Sequence, residues 1–99
     1  MTIEKKNVDG RAVIALNGRL DTATAPTLEA PLLGALAENA AVLLDITQID
    51  YLSSAGLRVL MMAQKYAGAN GKQLVLTGVC EAVMEVFEMT GFSDILTIE

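Results

Sequence analysis

An α/β fold follows from three features of this 99-residue chain. Asp9-Gly10 sits between two strand-like runs and predicts an opening antiparallel hairpin. The apolar run "AVLLDI", residues 41–46, follows a helical pattern, as a strand returning to a sheet does. Two more apolar patterns of helical period, over 54–69 and 79–90, alternate with a strand-like run at 72–77. The predicted order is β-β-α-β-α-β-α-β. It describes one domain, residues 1–99, with a mixed β-sheet: an opening antiparallel hairpin, then β-α repeats, flanked by about three to four helices.

The hairpin strands are expected at about 2–8 and 11–17, with Gly18 ending the second. Thr24 reads as the N-cap of the first helix, and Pro26 falls in its first turn, where a missing N–H does no harm. Leu28, Leu32, Ala35 and Leu36 then recur at helical spacing. Pro31 lies inside this pattern and removes a hydrogen bond, so the helix either kinks there or begins only near Ala30. The run at 41–46 has the pattern of a strand buried on both faces. The second helix is expected over Ser54–Ala69, stopping at Asn70-Gly71, and the third over Val79–Thr90. In the third, Val79, Val83, Val86 and Phe87 line one face; Glu81, Glu85 and Glu88 line another; Gly91 closes it. "SDILTIE" is a short final strand or an extended tail.

Composition narrows the function. The chain is 53% hydrophobic but 4% aromatic, so its core is built from aliphatic side chains. A net charge of −5 argues against nucleic acid as a partner, because phosphate backbones are held by clustered Lys and Arg. The single cysteine, Cys80, forms no internal disulfide and reads as a small hydrophobe at the start of the third helix. No histidine is present, which removes Ser-His-Asp and Cys-His devices and the commonest metal ligand. "MTIEKKNVDG" has no apolar core of a signal peptide, and no run nears the ~20 apolar residues that cross a bilayer. The expectation is a cytoplasmic protein with no membrane insertion. No cofactor is expected either, since Gly68, Gly71 and Gly78 read as turns and caps rather than a phosphate-cradling loop.

The segment "IDYLSSAGLRVL", residues 49–60, carries the functional question. Ser53 stands one residue before a helix, where an N-cap belongs, and Ser54 would then be an ordinary first-turn residue. Helix geometry adds a second reading. At about 100° per residue, Val59, Leu60, Ala63 and Ala67 face the core, with Leu57 and Gln64 at its flank. Ser54, Arg58, Met61, Met62 and Lys65 fall opposite. That face mixes cations with methionines, the composition of an adaptable contact surface, although Met61 also fits the edge of the core. A phosphate on Ser54 would sit at a helix N-terminus, where free N–H groups favour an anion. It would place nearly two negative charges on the exposed face.

"YLSSAGLRVL", with "GRLDTATAPTLEAPLL" upstream, resembles the STAS domain family, and most of all its single-domain anti-sigma factor antagonists. The resemblance runs from the opening hairpin to the third helix. It implies a STAS-like fold and a mechanism. Such antagonists bind an anti-sigma factor that is itself a serine kinase and thereby free the sigma factor. The kinase phosphorylates one serine at the start of the second long helix, the complex dissociates, and a serine phosphatase reverses the change. By position the acceptor is Ser54, two residues before Gly56, with Ser53 as the alternative. Ser53 falls where the family often has an aspartate, and Ala55 where it often has a hydroxyl residue. Asp21 matches the acid that opens the first helix, with Thr22 beside it. The implied partner-binding set is Asp21, Thr22, Ser53, Ser54, Ala55, Gly56, Arg58, Met62 and Lys65.

Two other classes remain. STAS domains also serve as constitutive subunits of lipid-transport or signalling complexes, in which Ser54 would be only a helix-start residue. A hydrolase using Ser53 or Ser54 lacks a histidine base, and Leu52 stands where a nucleophile elbow needs glycine.

Overall fold

The computed structural model describes residues 1–99 as a two-layer α/β domain. The elements are β1 (Thr2–Val8), β2 (Arg11–Leu20), α1 (Ala25–Glu38), β3 (Ala41–Leu52), α2 (Ser54–Ala69), β4 (Gln73–Thr77), α3 (Glu81–Thr90), a 3-10 turn (Phe92–Asp94) and β5 (Thr97–Ile98). The sheet order is β1-β2-β3-β4-β5. β1 and β2 pair antiparallel around the Asp9-Gly10 turn, and every later pairing is parallel. The expected mixed sheet, opening on a hairpin, is present.

All three helices pack on one face of the sheet. Register places Ala12, Val42 and Leu74 in one row and Ile14, Leu44 and Leu76 in the next. Both rows join Leu28 and Leu32 of α1, Leu60 and Ala63 of α2, and Val83 and Phe87 of α3 in a single core. β3 is therefore buried on one face, not on both. Val42, Leu44 and Ile46 are sealed beneath the helices, whereas Ala41, Leu43 and Asp45 alternate onto the open face. With the helices on one face only, the opposite row is less completely covered: Val13 and Val75 are buried there, while Leu43 between them is half-buried.

Several boundaries differ from the sequence reading. β2 does not stop at Gly18 but runs to Leu20. Gly18 adopts φ +123°, and the β2–β3 register shifts between Gly18 and Leu20, so the glycine permits a bulge instead of ending the strand. β3 continues past Ile46 to Leu52 for the same reason: shifts between Ala15 and Asn17 and between Gly18 and Leu20 let its buried positions reach Ile49 and Leu52. α3 begins at Glu81 rather than Val79, with Cys80 extended at its N-cap position.

α1 begins at Ala25, not near Ala30, and carries Pro31 in its interior. An interior proline costs about 3 kcal/mol. Leu28, Leu32 and Leu36 are each fully buried, at about 1.5–3 kcal/mol apiece, so packing outweighs the lost hydrogen bond. Gly91 closes α3 in the left-handed conformation, and the tail forms the 3-10 turn and then β5 against β4.

Candidate functional site

The C-terminal ends of β2 and β3 lie side by side and feed the first turns of α1 and α2. Leu20 pairs with Leu52, so Asp21 and Ser53 leave the sheet from adjacent positions. The Ser53 N–H donates to the Leu20 carbonyl at 2.9 Å and locks the two exits together. Ligand sites of parallel α/β sheets gather at this end of the strands.

Ser53 is the N-cap of α2. Its backbone is extended, and its Oγ accepts the Gly56 N–H at 3.2 Å. Ser54 is the first residue of the helix, and it is exposed. The two serines therefore have different duties: one hydroxyl is held in the cap, and the other faces solvent. Gly56 belongs to the expected contact set. It is buried, and a Cβ there would lie 2.8 Å from Leu52 Cδ1, 2.9 Å from Leu20 Cγ and 3.0 Å from the Leu20 carbonyl oxygen. Its missing side chain lets α2 approach the strand ends closely.

Beyond the first turn, Ser54, Leu57, Arg58, Met61, Lys65 and Phe92 line an open groove of about 450 Å³. The structure thus brings Ser54, Arg58 and Lys65 onto one surface. Met62 is half-buried, one position around the helix from Met61, and lies outside the groove lining. Ala55 is half-buried. Phe92 was not legible as a site residue. Its only sequence signal is an aromatic just after the helix-closing Gly91, and the 3-10 turn then carries it to α2.

Asp21 organises the neighbouring turn. Its Oδ1 accepts the N–H groups of Ala23 and Thr24, each at 3.0 Å, and its carbonyl accepts the Ala25 N–H at 2.8 Å. The Thr24 hydroxyl accepts the Asp21 N–H at 2.9 Å and is shared as a donor between the Arg19 carbonyl and Asp21 Oδ1. This is a reciprocal capping box. It corrects the sequence expectation for Thr24, whose own backbone is helical and whose side chain caps no first-turn N–H. The aspartate takes the capping role because the helical turn extends back to it. Thr22 is exposed on the same turn. Arg19 reaches Asp21 at 3.7 Å and lies 4.1 Å over the Tyr51 ring.

The Thr24 N–H, above all, holds the Asp21 carboxyl below its ordinary range, aided by the Thr24 hydroxyl, the Ala23 N–H and Arg19 against a partial desolvation. The Thr47 hydroxyl and N–H act likewise on Asp45, partial desolvation again opposing them and Lys6 adding a smaller pull. A carboxyl depressed in the folded state stabilises it above the unfolded pKa, and this is lost as pH falls through and below that value. Asp21→Asn is therefore expected to flatten the decline of the urea midpoint as pH falls below about 4. An acid limb as steep as that of the wild type would show that the turn contributes nothing there.

Chemically this end of the molecule presents a free hydroxyl at a helix start, a groove lined by two cations and three apolar side chains, and a rigid capped turn beside it. The family model described as "Mlab, STAS domain" matches residues 3–97. The chain belongs to the STAS domain family. An anti-sigma-B factor antagonist of Listeria monocytogenes is 33% identical over 101 residues, covering 100% of this chain and 89% of the relative. The crystal structure of an anti-sigma factor antagonist from Mycobacterium paratuberculosis superposes with a TM-score of 0.88 at 23% identity, over 98% of this chain and 83% of that one. The phosphorylated form of the Bacillus cell fate determinant SpoIIAA superposes with a TM-score of 0.76 at 16% identity, over 99% and 91%. Relatives of this chain are thus anti-sigma factor antagonists, which are regulatory binding proteins. No helix is long and apolar enough to cross a membrane.

Proposed function

We propose that this domain is an anti-sigma factor antagonist switched by phosphorylation of Ser54. It binds an anti-sigma factor with serine-kinase activity, and the sigma factor is released. The kinase then transfers the terminal phosphoryl group of ATP to Ser54 Oγ. An O–P bond forms, the bridging bond to the β-phosphate breaks, ADP departs, and the hydroxyl proton passes to a base. A serine phosphatase restores the hydroxyl by hydrolysis. The observation that carries this reading is the division of labour between the serines. Ser53 Oγ is committed to the helix cap, while Ser54 is exposed at the edge of a cationic groove. That a protein of like fold is known in a phosphorylated form supports it.

The proposed contact face combines Ser54 with Asp21, Thr22, Ser53, Ala55, Arg58, Met62 and Lys65, with Gly56 beneath it. The direct test is reconstitution. Adding the domain to a complex of its own organism's kinase–anti-sigma factor and sigma factor should release the sigma factor in proportion to the domain added. A complex unaffected by excess domain would contradict the function. Met62→Glu should weaken binding to the anti-sigma factor about fivefold by burying a charge at the interface. Unchanged affinity, measured by calorimetry, would mean that the contact face lies elsewhere.

One observation keeps a second reading in view. The matched family model takes its description from Mlab rather than from an antagonist. In this reading the domain is a constitutive subunit of a lipid-transport or signalling complex, and Ser54 only begins a helix. A stable complex that persists through all growth states would favour it.

A further inference from the structure

We propose that Arg58 is the intramolecular receptor for a phosphate on Ser54, and that their pairing withdraws the groove's first cation from a partner. The proposal rests on Ser54 being the modified serine. Ser54 and Arg58 are four residues apart on α2, are both exposed, and line the same groove. Residues at this spacing have Cβ atoms about 5–6 Å apart, within reach of a guanidinium and a phosphate. The order is also the favourable one, with the anion toward the N-terminus and the cation one turn on.

Arg58 is uncommitted. The α2 sequence, SAGLRVLMMAQKYAGA, contains no carboxylate, and the protein's one ion pair is Arg19–Asp21. The helix thus begins without the anion that its dipole and its cation both favour. A planar guanidinium also suits a phosphate, because its parallel N–H groups bond two oxygens at once.

The alternatives on the molecule are worse placed. Lys65 lies eleven residues along from Ser54, about 16 Å at the helical rise. Arg19 is already engaged by Asp21 and the Tyr51 ring. Ser53 has Leu57 four residues on, an apolar side chain in the core, and modifying it would remove the cap to the Gly56 N–H. The pairing therefore favours Ser54 over Ser53 as a stable phosphate position.

The consequence is a change of sign. The unmodified groove offers two cations, Arg58 and Lys65. A phosphoserine brings about −1.5 to −2 charges and occupies Arg58, so the end of the groove nearest the helix start becomes anionic. A partner carboxylate that had met Arg58 would then lose its counter-ion and face a like charge.

The test installs phosphoserine at position 54 by genetic encoding and follows its second ionisation by phosphorus NMR. The midpoint in R58Q should lie about half a unit above that of the protein with Arg58 intact, and R58K should recover part of the difference. K65Q should leave the midpoint unchanged, and molar salt should shrink the R58Q effect. Arg19, Asp21, Asp50 and Asp94, the charged groups on elements flanking this end of α2, are the same in every variant. Equal midpoints in R58Q and the intact protein would overturn the proposal, as would a shift in K65Q as large as that in R58Q. Both readouts are independent of whether cells modify Ser54, so the pairing and the switch fail separately.

Discussion

Ser54→Asp is expected to lower the affinity for the proposed kinase–anti-sigma factor partner roughly tenfold or more, equivalent to about 1.4 kcal/mol, in a titration of purified proteins. The substitution puts one negative charge on the first residue of α2, at the edge of the groove that holds Arg58 and Lys65. It does not refold the domain, because Ser54 is exposed and the cap is made by Ser53. The loss comes from desolvating a charge at the interface and from cancelling a cation that a partner would meet. Ser54→Ala should bind within about twofold of wild type, as an exposed substitution does, yet resist inactivation by ATP. The thermal midpoint of Ser54→Ala should match wild type and that of Ser54→Asp should equal or slightly exceed it, since the new carboxylate suits the helix start and Arg58, which separates a binding loss from a folding one. Wild-type affinity in Ser54→Asp would mean that charge at this position does not gate the partner.

Gly56→Val is expected to destabilise the domain by about 3 kcal/mol, and Gly56→Ala by about 1–2. The new Cβ would come within 3.0 Å of Leu20 and Leu52 atoms. Leu52 Cδ1 is the end of a flexible side chain and can move. The Leu20 carbonyl cannot, because it accepts the Ser53 N–H at 2.9 Å. Relief therefore requires α2 to lift from the strand ends. Alanine recovers part of the cost, since it is the better helix former by about 1 kcal/mol, whereas β-branched valine recovers less and adds bulk. At roughly 4–8 °C per kcal/mol for a domain of this size, Gly56→Val should melt about 12–24 °C lower. A melting temperature within a degree or two of wild type would show that the close approach carries no strain. The same displacement moves Ser54, so Gly56→Ala should also weaken partner binding in proportion to the loss of packing.

Most of the fold was legible because its signals are local and strong. Asp9-Gly10 fixed the hairpin, the apolar spacing of Val59, Leu60, Ala63 and Ala67 fixed the buried side of α2, and Gly91 fixed the end of α3. What escaped was set by neighbours. Gly18 reads as a terminator, yet the parallel partner β3 draws the strand on to Leu20 through a bulge. Pro31 reads as a break, yet buried leucines on both sides hold the helix together. Leu43 reads as core, yet it is only half-buried, on the side of the sheet away from the helices.

The site divides the same way. Ser53 could be assigned to the cap from its place before the helix, and the structure gives it that bond. Ser54, Arg58 and Lys65 share a face by helical arithmetic alone. Phe92 could not be found so, because only the chain reversal at Gly91 brings it to α2. The role of Asp21 was hidden behind Thr24. Both are good capping residues, and only the hydrogen bonds show which one the turn uses.

The central claim is that Ser54 carries a phosphate that comes and goes. The most direct measurement is a phosphopeptide map of the protein isolated from its own cells, growing and starved. The account predicts phosphate on Ser54 whose occupancy differs between the two states. Absence of phosphate from Ser54 in both states would contradict it.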